Sequence, residues 1–174
     1  MQFIVPTIIC ILILVALGTT LSAGFLQSAE YLSAAIETGN DSERDMLRTT
    51  ISSINSTYTA EHLFLIDVLN NGQTKIGDFP NWDVIAEYYD DEGSFHSSWL
   101  PYTADTPGIN EWYISGIYYG ELPEVYDPGL LNRGEYLSLA LQVEPAPAAE
   151  SRVRLYISTP TGSTAIAECD TPAY

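Results

Sequence analysis

The chain of 174 residues has no charged side chain before Glu30 and no basic one before Arg44. Bases are scarce throughout, since 6 Lys and Arg face 23 Asp and Glu, giving a formal charge of −17. A surface this negative repels phosphate backbones, which excludes nucleic acid as a partner. There are two cysteines, Cys10 in the uncharged segment and Cys169 near the opposite end, so a disulfide framework is excluded and free buried thiols are expected. The two histidines, His62 and His96, lack the paired spacing of a zinc site and read as sheet or loop residues. No serine nucleophile motif, phosphate-binding glycine loop or HExxH segment occurs, so neither catalysis nor a cofactor has support in the sequence. The length suits one ordinary domain with an appendage and excludes a large multi-domain enzyme.

The appendage is the uncharged start. Of its first 29 residues, 15 are Met, Phe, Ile, Val or Leu. A helix apolar on every face needs lipid or a shell of other helices. Three readings compete: a cleavable signal, a permanent membrane anchor, or the packing helix of a filament subunit. A signal core of about 7–15 residues is shorter than this run. An anchor usually carries Lys or Arg on its cytoplasmic flank, and here that flank is empty. Removal of a basic leader before Met1 accounts for both features. A helix from Met1 to about Ile36 would be about 54 Å long against a hydrocarbon core of about 30 Å. Pro6 is tolerated near its start. Small residues including Ala16, Gly18, Ser22, Ala23 and Gly24 permit close helix approach, or else simply tolerate lipid. The expected packing set is Ile8, Ile11, Leu12, Val15, Gly18, Ser22, Ala23 and Gly24.

The remainder is a different kind of sequence, with 19 acids and all 6 bases from Arg44 onward. Gly39-Asn40-Asp41-Ser42 is a breaker cluster expected to end the helix, which divides the chain into a hydrophobic helix, 1–39, and an outer domain, 40–174. The stretch MLRTTISSINSTYT favours strand, with a short helix around Met46 as the alternative. Apolar runs then alternate with turn signals: HLFLIDVL, WDVIAEYY, EWYISGIYY, EYLSLALQVE, RVRLYIS and TAIAEC. The fold class is therefore α+β: a long N-terminal hydrophobic α-helix followed by an antiparallel immunoglobulin-like β-sandwich. Trp82, Trp112 and the tyrosines read as core and sheet-face residues. Asn40 and Asn55 begin matches to the N-glycosylation pattern. Asp90, Asp91 and Glu92 offer oxygen ligands but lack the spacing of a dedicated calcium loop, so a solvated hairpin turn is the alternative reading.

The order of these pieces resembles the archaellins, the archaeal-type flagellins of the type IV pilin superfamily. The carrying residues are the uncharged helix; Asp67-Val68-Leu69-Asn70-Asn71-Gly72 followed by Lys75-Ile76; Trp82-Asp83-Val84; Tyr126-Asp127-Pro128-Gly129 with Leu131-Asn132-Arg133-Gly134-Glu135; and Ile157-Ser158-Thr159-Pro160-Thr161-Gly162. Val5 stands where pilin helices usually carry Glu, as in archaellin-like helices. The resemblance implies an extracellular motility filament, a helical homopolymer stored in the membrane before assembly and built by archaellum-type assembly and motor machinery. A non-motile adhesion pilin and a membrane-anchored accessory of the motor are the alternatives. An all-apolar helix fits a head-to-tail polymer, because a contact that does not close into a ring propagates as a helix.

Overall fold

The computed structural model describes residues 4–59 and 63–173, with the side chains of residues 4–7, 10, 11, 19–23, 34, 35, 37–43 and 45 outside that description. The chain divides into two compact units, Met1–Glu43 and Arg44–Tyr174. Helix α1 is continuous over Ile4–Arg48, 45 residues, or about 68 Å at a rise of 1.5 Å per residue. It does not stop at Gly39-Asn40-Asp41-Ser42 as the breaker cluster suggests. Each such residue disfavours helix by no more than about 1 kcal/mol, and the last turn is held from outside the helix: the Gln73 N–H donates to the Arg48 carbonyl at 2.7 Å. The stretch expected as strand from Met46 onward is thus helix up to Arg48, and strand only from Ile51.

The second unit consists of two antiparallel sheets. The first has the order β1 (Ile51–Tyr58), β2 (Leu63–Asn70), β7 (Tyr136–Gln142), β5 (Glu111–Tyr119) and β6 (Leu122–Pro123). The second has the order β4 (Phe95–Leu100), β3 (Asp83–Tyr89), β8 (Arg152–Ser158) and β9 (Thr164–Asp170). Alternating sequence produces one buried face per strand. Phe64, Ile66 and Val68 of β2 turn inward beside Leu137, Leu139 and Leu141 of β7, while Val84, Ala86 and Tyr88 of β3 and Val153, Leu155 and Ile157 of β8 supply the other half of one core. Trp82 and Trp112 are both buried within it. Among the described residues β1 also lies against β9, where the Ser56 hydroxyl donates to the Glu168 carbonyl.

Strand β4 is absent from the apolar runs read in the sequence, and the reason is physical. Its segment FHSSWL points Phe95 and Trp99 outward, each more than half exposed, and only Leu100 is buried. An edge strand that gives one side chain to the core leaves no hydrophobic alternation to detect.

Candidate functional site

The described packing residues of α1 are uncovered. Ile8, Leu12 and Val15 are 52%, 62% and 59% exposed. A Cβ built on Gly18 or Gly24 would meet nothing within 4 Å. Leu12, Ile13, Leu14, Val15 and Leu17 are all exposed, so apolar side chains face every direction around the helix. Ile11, Ser22 and Ala23 have side chains outside the described residues, as do Cys10 and Asn40. Among the described side chains, no helix is long and apolar enough to cross a membrane, the uncharged stretch being described in short runs of side chains only.

The remaining predicted sites do not converge. Asn55 lies in β1 and its amide donates to the Asp67 carboxylate at 3.1 Å, so this glycosylation candidate is an exposed strand residue with a side-chain partner. Asp90 accepts from the Glu92 and Ser94 N–H groups and from His96 Nε2 at 2.7 Å. Asp91 instead accepts from the Ala149 N–H at 3.3 Å. These carboxylates shape a turn, and no group of three or more His, Cys, Asp or Glu able to hold a metal occurs among the described residues. The His96 hydrogen bond, followed by the Ser94 and Glu92 N–H groups, holds Asp90 below the usual carboxylate range. His96 lies in β4, pairs with Asp90 and stacks on Tyr88. His62 lies outside the described residues. Cys169 is a buried free thiol, and burial pushes its pKa up.

What does converge is the set of turn motifs quoted above. Asn70 is fully buried at the end of β2, at the same parity as Phe64, Ile66 and Val68. Its amide donates to the carbonyls of Thr74 and Leu131, both at 2.8 Å, and its side-chain oxygen accepts the Gly72 N–H at 3.0 Å. Its backbone exchanges bonds with the carbonyl of Glu135 and the N–H of Gly134. One asparagine therefore ties its own turn to the sequence-distant turn at residues 131–135. A polar side chain at core parity was the sequence signal for this hub, since a buried amide must find partners.

The same cluster clamps the end of α1. The N–H groups of Asn71 and Gly72 donate to the Thr50 carbonyl, and the Thr49 and Thr74 hydroxyls lie 2.7 Å apart. Gly72 is required by close approach: a Cβ there would stand 2.6 Å from both the Arg48 carbonyl oxygen and the Thr50 nitrogen. Gly162 adopts φ +88°, the left-handed region that glycine enters without strain, and closes the β8–β9 turn beside Met46. A concavity of about 570 Å³ opens here, lined in part by Arg48, Gln73, Lys75, Asp78 and Thr161.

On the flank, Lys75 pairs with Asp127 at 2.7 Å, and Asp127 is held below its ordinary range by that hydrogen bond. Next to it, Glu124 accepts the N–H groups of Tyr126 and Asp127, while Glu135 accepts the Asn132 N–H at 2.7 Å. Burial pushes Glu135 up, with Glu124 adding to the shift, whereas the Asp127 N–H and the Glu135 side chain pull Glu124 down.

No family model matches the sequence, and no curated protein does. Solved structures do. The archaeal flagellum of Methanospirillum hungatei aligns with a TM-score of 0.61 at 11% identity, over 97% of this chain and 93% of that one. The chain has the archaellin-like fold. An archaeal flagellin from Methanocaldococcus jannaschii, seen in a crystal structure, aligns with a TM-score of 0.52 at 16% identity over 72% of this chain and 91% of that one. The archaellum periplasmic stator protein FlaG from Sulfolobus acidocaldarius aligns with a TM-score of 0.50 at 16% identity, over 69% and 98%. The unit Arg44–Tyr174 is three quarters of the chain, so coverage of 97% extends into α1 of this archaellin-like protein, while 69% need not.

Proposed function

We propose that the chain is a structural subunit of an archaellum-type motility filament, polymerising through α1 with its sandwich outside. One observation carries the reading: similarity to an archaeal flagellum runs through the helix as well as the sandwich, and that helix exposes apolar side chains on all sides. A single chain leaves that surface in water at a cost of about 25 cal/mol per Å². Lipid before assembly, and identical helices after it, remove the cost. The hydrophobic difference between those two surroundings is small, so packing of the small residues decides the transfer. The assembled protein lies on the cell surface, its partners are copies of itself and the archaellum-type assembly and motor machinery, and its role is structural rather than catalytic. Asn40 and Asn55 are its candidate glycan sites, and the sandwich is read as immunoglobulin-like.

A motor-associated accessory is the second reading, favoured by the likeness to the stator protein FlaG. Copy number separates the two. Filaments sheared from native cells are examined by electron microscopy and mass spectrometry, together with swimming of a deletion strain. The filament reading expects this chain as an abundant filament component and loss of swimming on deletion. Low-copy recovery from the membrane fraction alone would leave the accessory standing in its place.

A further inference from the structure

Acids outnumber bases almost four to one in this chain, yet Arg44, Arg48 and Arg133 form no ion pair among the described residues. Lys75, Arg152 and Arg154 are paired. Arg44 and Arg48 are four residues apart on the last turns of α1 and so share a face. Leu47 belongs to that face and is 84% exposed. Among the described residues the helix end thus presents an arginine, a leucine and a second arginine, all exposed.

A surface of the opposite chemistry lies on the β5–β6 hairpin and the loop after it. Tyr119, Leu122 and Val125 are 65%, 71% and 74% exposed, and Tyr126 reaches 93%. These side chains rim a hollow of about 640 Å³ that Glu124 and Glu135 also line. Neither glutamate has an ion-pair partner among the described residues, and Lys75 is engaged by Asp127 instead. An apolar rim around two carboxyl groups matches a leucine flanked by guanidinium groups. Arginine bonds carboxylates in a planar fork and stacks on aromatic rings, and tyrosine and arginine together dominate binding energy at interfaces.

We propose that the Arg44–Leu47–Arg48 face of one copy docks into the Tyr119–Tyr126 hollow of a neighbouring copy, with the arginines meeting the half-buried Glu124. This rests on the filament reading and specifies a second contact beside the packing of the helices. The occupant is another copy of this chain because each chain carries both halves of the contact and the two halves differ. Such a contact is heterologous and propagates instead of closing. The Gln73 to Arg48 bond and the Asn70 to Glu135 bond place the two surfaces at the same end of the sandwich.

The test uses the full-length chain in cells that make it as their sole copy of this subunit. Filaments carrying Leu47→Cys together with Tyr126→Cys are oxidised and run on non-reducing gels. A ladder of dimers, trimers and longer oligomers is expected, and neither single variant produces one. Arg44→Glu combined with Arg48→Glu is expected to raise the concentration needed for assembly by about tenfold or more, with the melting of the sandwich unchanged. Filaments of the double-cysteine variant that yield only monomer, or assembly of the double-glutamate variant at the wild-type concentration, would overturn the contact. A wild-type chain that never enters a filament is a separate outcome and sinks the filament reading itself.

Discussion

Helix α1 and the sandwich use the same apolar residue types and dispose them in opposite ways. Along β2, Phe64, Ile66 and Val68 are completely buried, while Leu14 and Phe25 of α1 remain 68% and 77% exposed. A strand with period two separates its faces, so one layer closes on another within a single chain. A helix that is apolar on every face has no polar side to give to water, and no single neighbour covers it all. The sandwich therefore closes its own core, whereas the described apolar side chains of α1 stay exposed.

The contrast breaks most visibly at a core tryptophan. Trp112→Ala is expected to destabilise the isolated Arg44–Tyr174 unit by about 3–5 kcal/mol, read as a denaturant midpoint, whereas Leu14→Ala leaves the unfolding of the sandwich in the full chain where it was. Gly72→Ala comes next. Its Cβ would stand 2.6 Å from backbone atoms on both sides, so a loss of about 2 kcal/mol is expected, with hydrogen exchange quickening first at Asn71 and Gln73. Unaltered exchange there would show that the clamp yields without cost.

A smaller effect concerns Glu135. Because burial and Glu124 raise its pKa, the folded state gains from the protonated carboxyl in acid, and that gain is lost as pH rises through the raised value. Glu135→Gln removes the penalty at neutral pH and keeps an acceptor for the Asn132 N–H. The variant is expected to melt at or above the wild-type temperature at about pH 7, with the difference gone below the ordinary carboxylate range. Asp127 and Asp90 have the opposite sign, since their lowered pKa values support folding at neutral pH and that support disappears as pH falls through them. Smallest on stability is Gly18→Leu, expected to leave the melting curve of the sandwich unchanged while filament assembly is lost. Normal filaments from this variant would remove the close-packed core.

Much of the sandwich was legible because its strands alternate. RVRLYIS declares its buried positions by parity alone, and the structure places Val153, Leu155 and Ile157 inward accordingly. Where parity is silent, the reading stopped. FHSSWL gives one residue to the core and went unseen as a strand. Gly39-Asn40-Asp41-Ser42 looked like a helix end, but a local breaker is outweighed when the following turn is clamped by three backbone hydrogen bonds, from Asn71 and Gly72 to the Thr50 carbonyl and from Gln73 to the Arg48 carbonyl. The pairing of His96 with Asp90 was also missed, because a contact across a hairpin depends on register that composition does not carry.

The sequence by itself displayed an uncharged N-terminal stretch and an acidic, strand-rich remainder, because charge and hydrophobic period are local properties that every window of residues displays. Only the tertiary structure decided that Asn70 ties its own turn to the distant turn at residues 131–135, that α1 runs on to Arg48, and that Glu124 and Glu135 share one hollow. Those outcomes rest on hydrogen bonds and close approaches between residues far apart in the chain, and spacing along a sequence does not encode them.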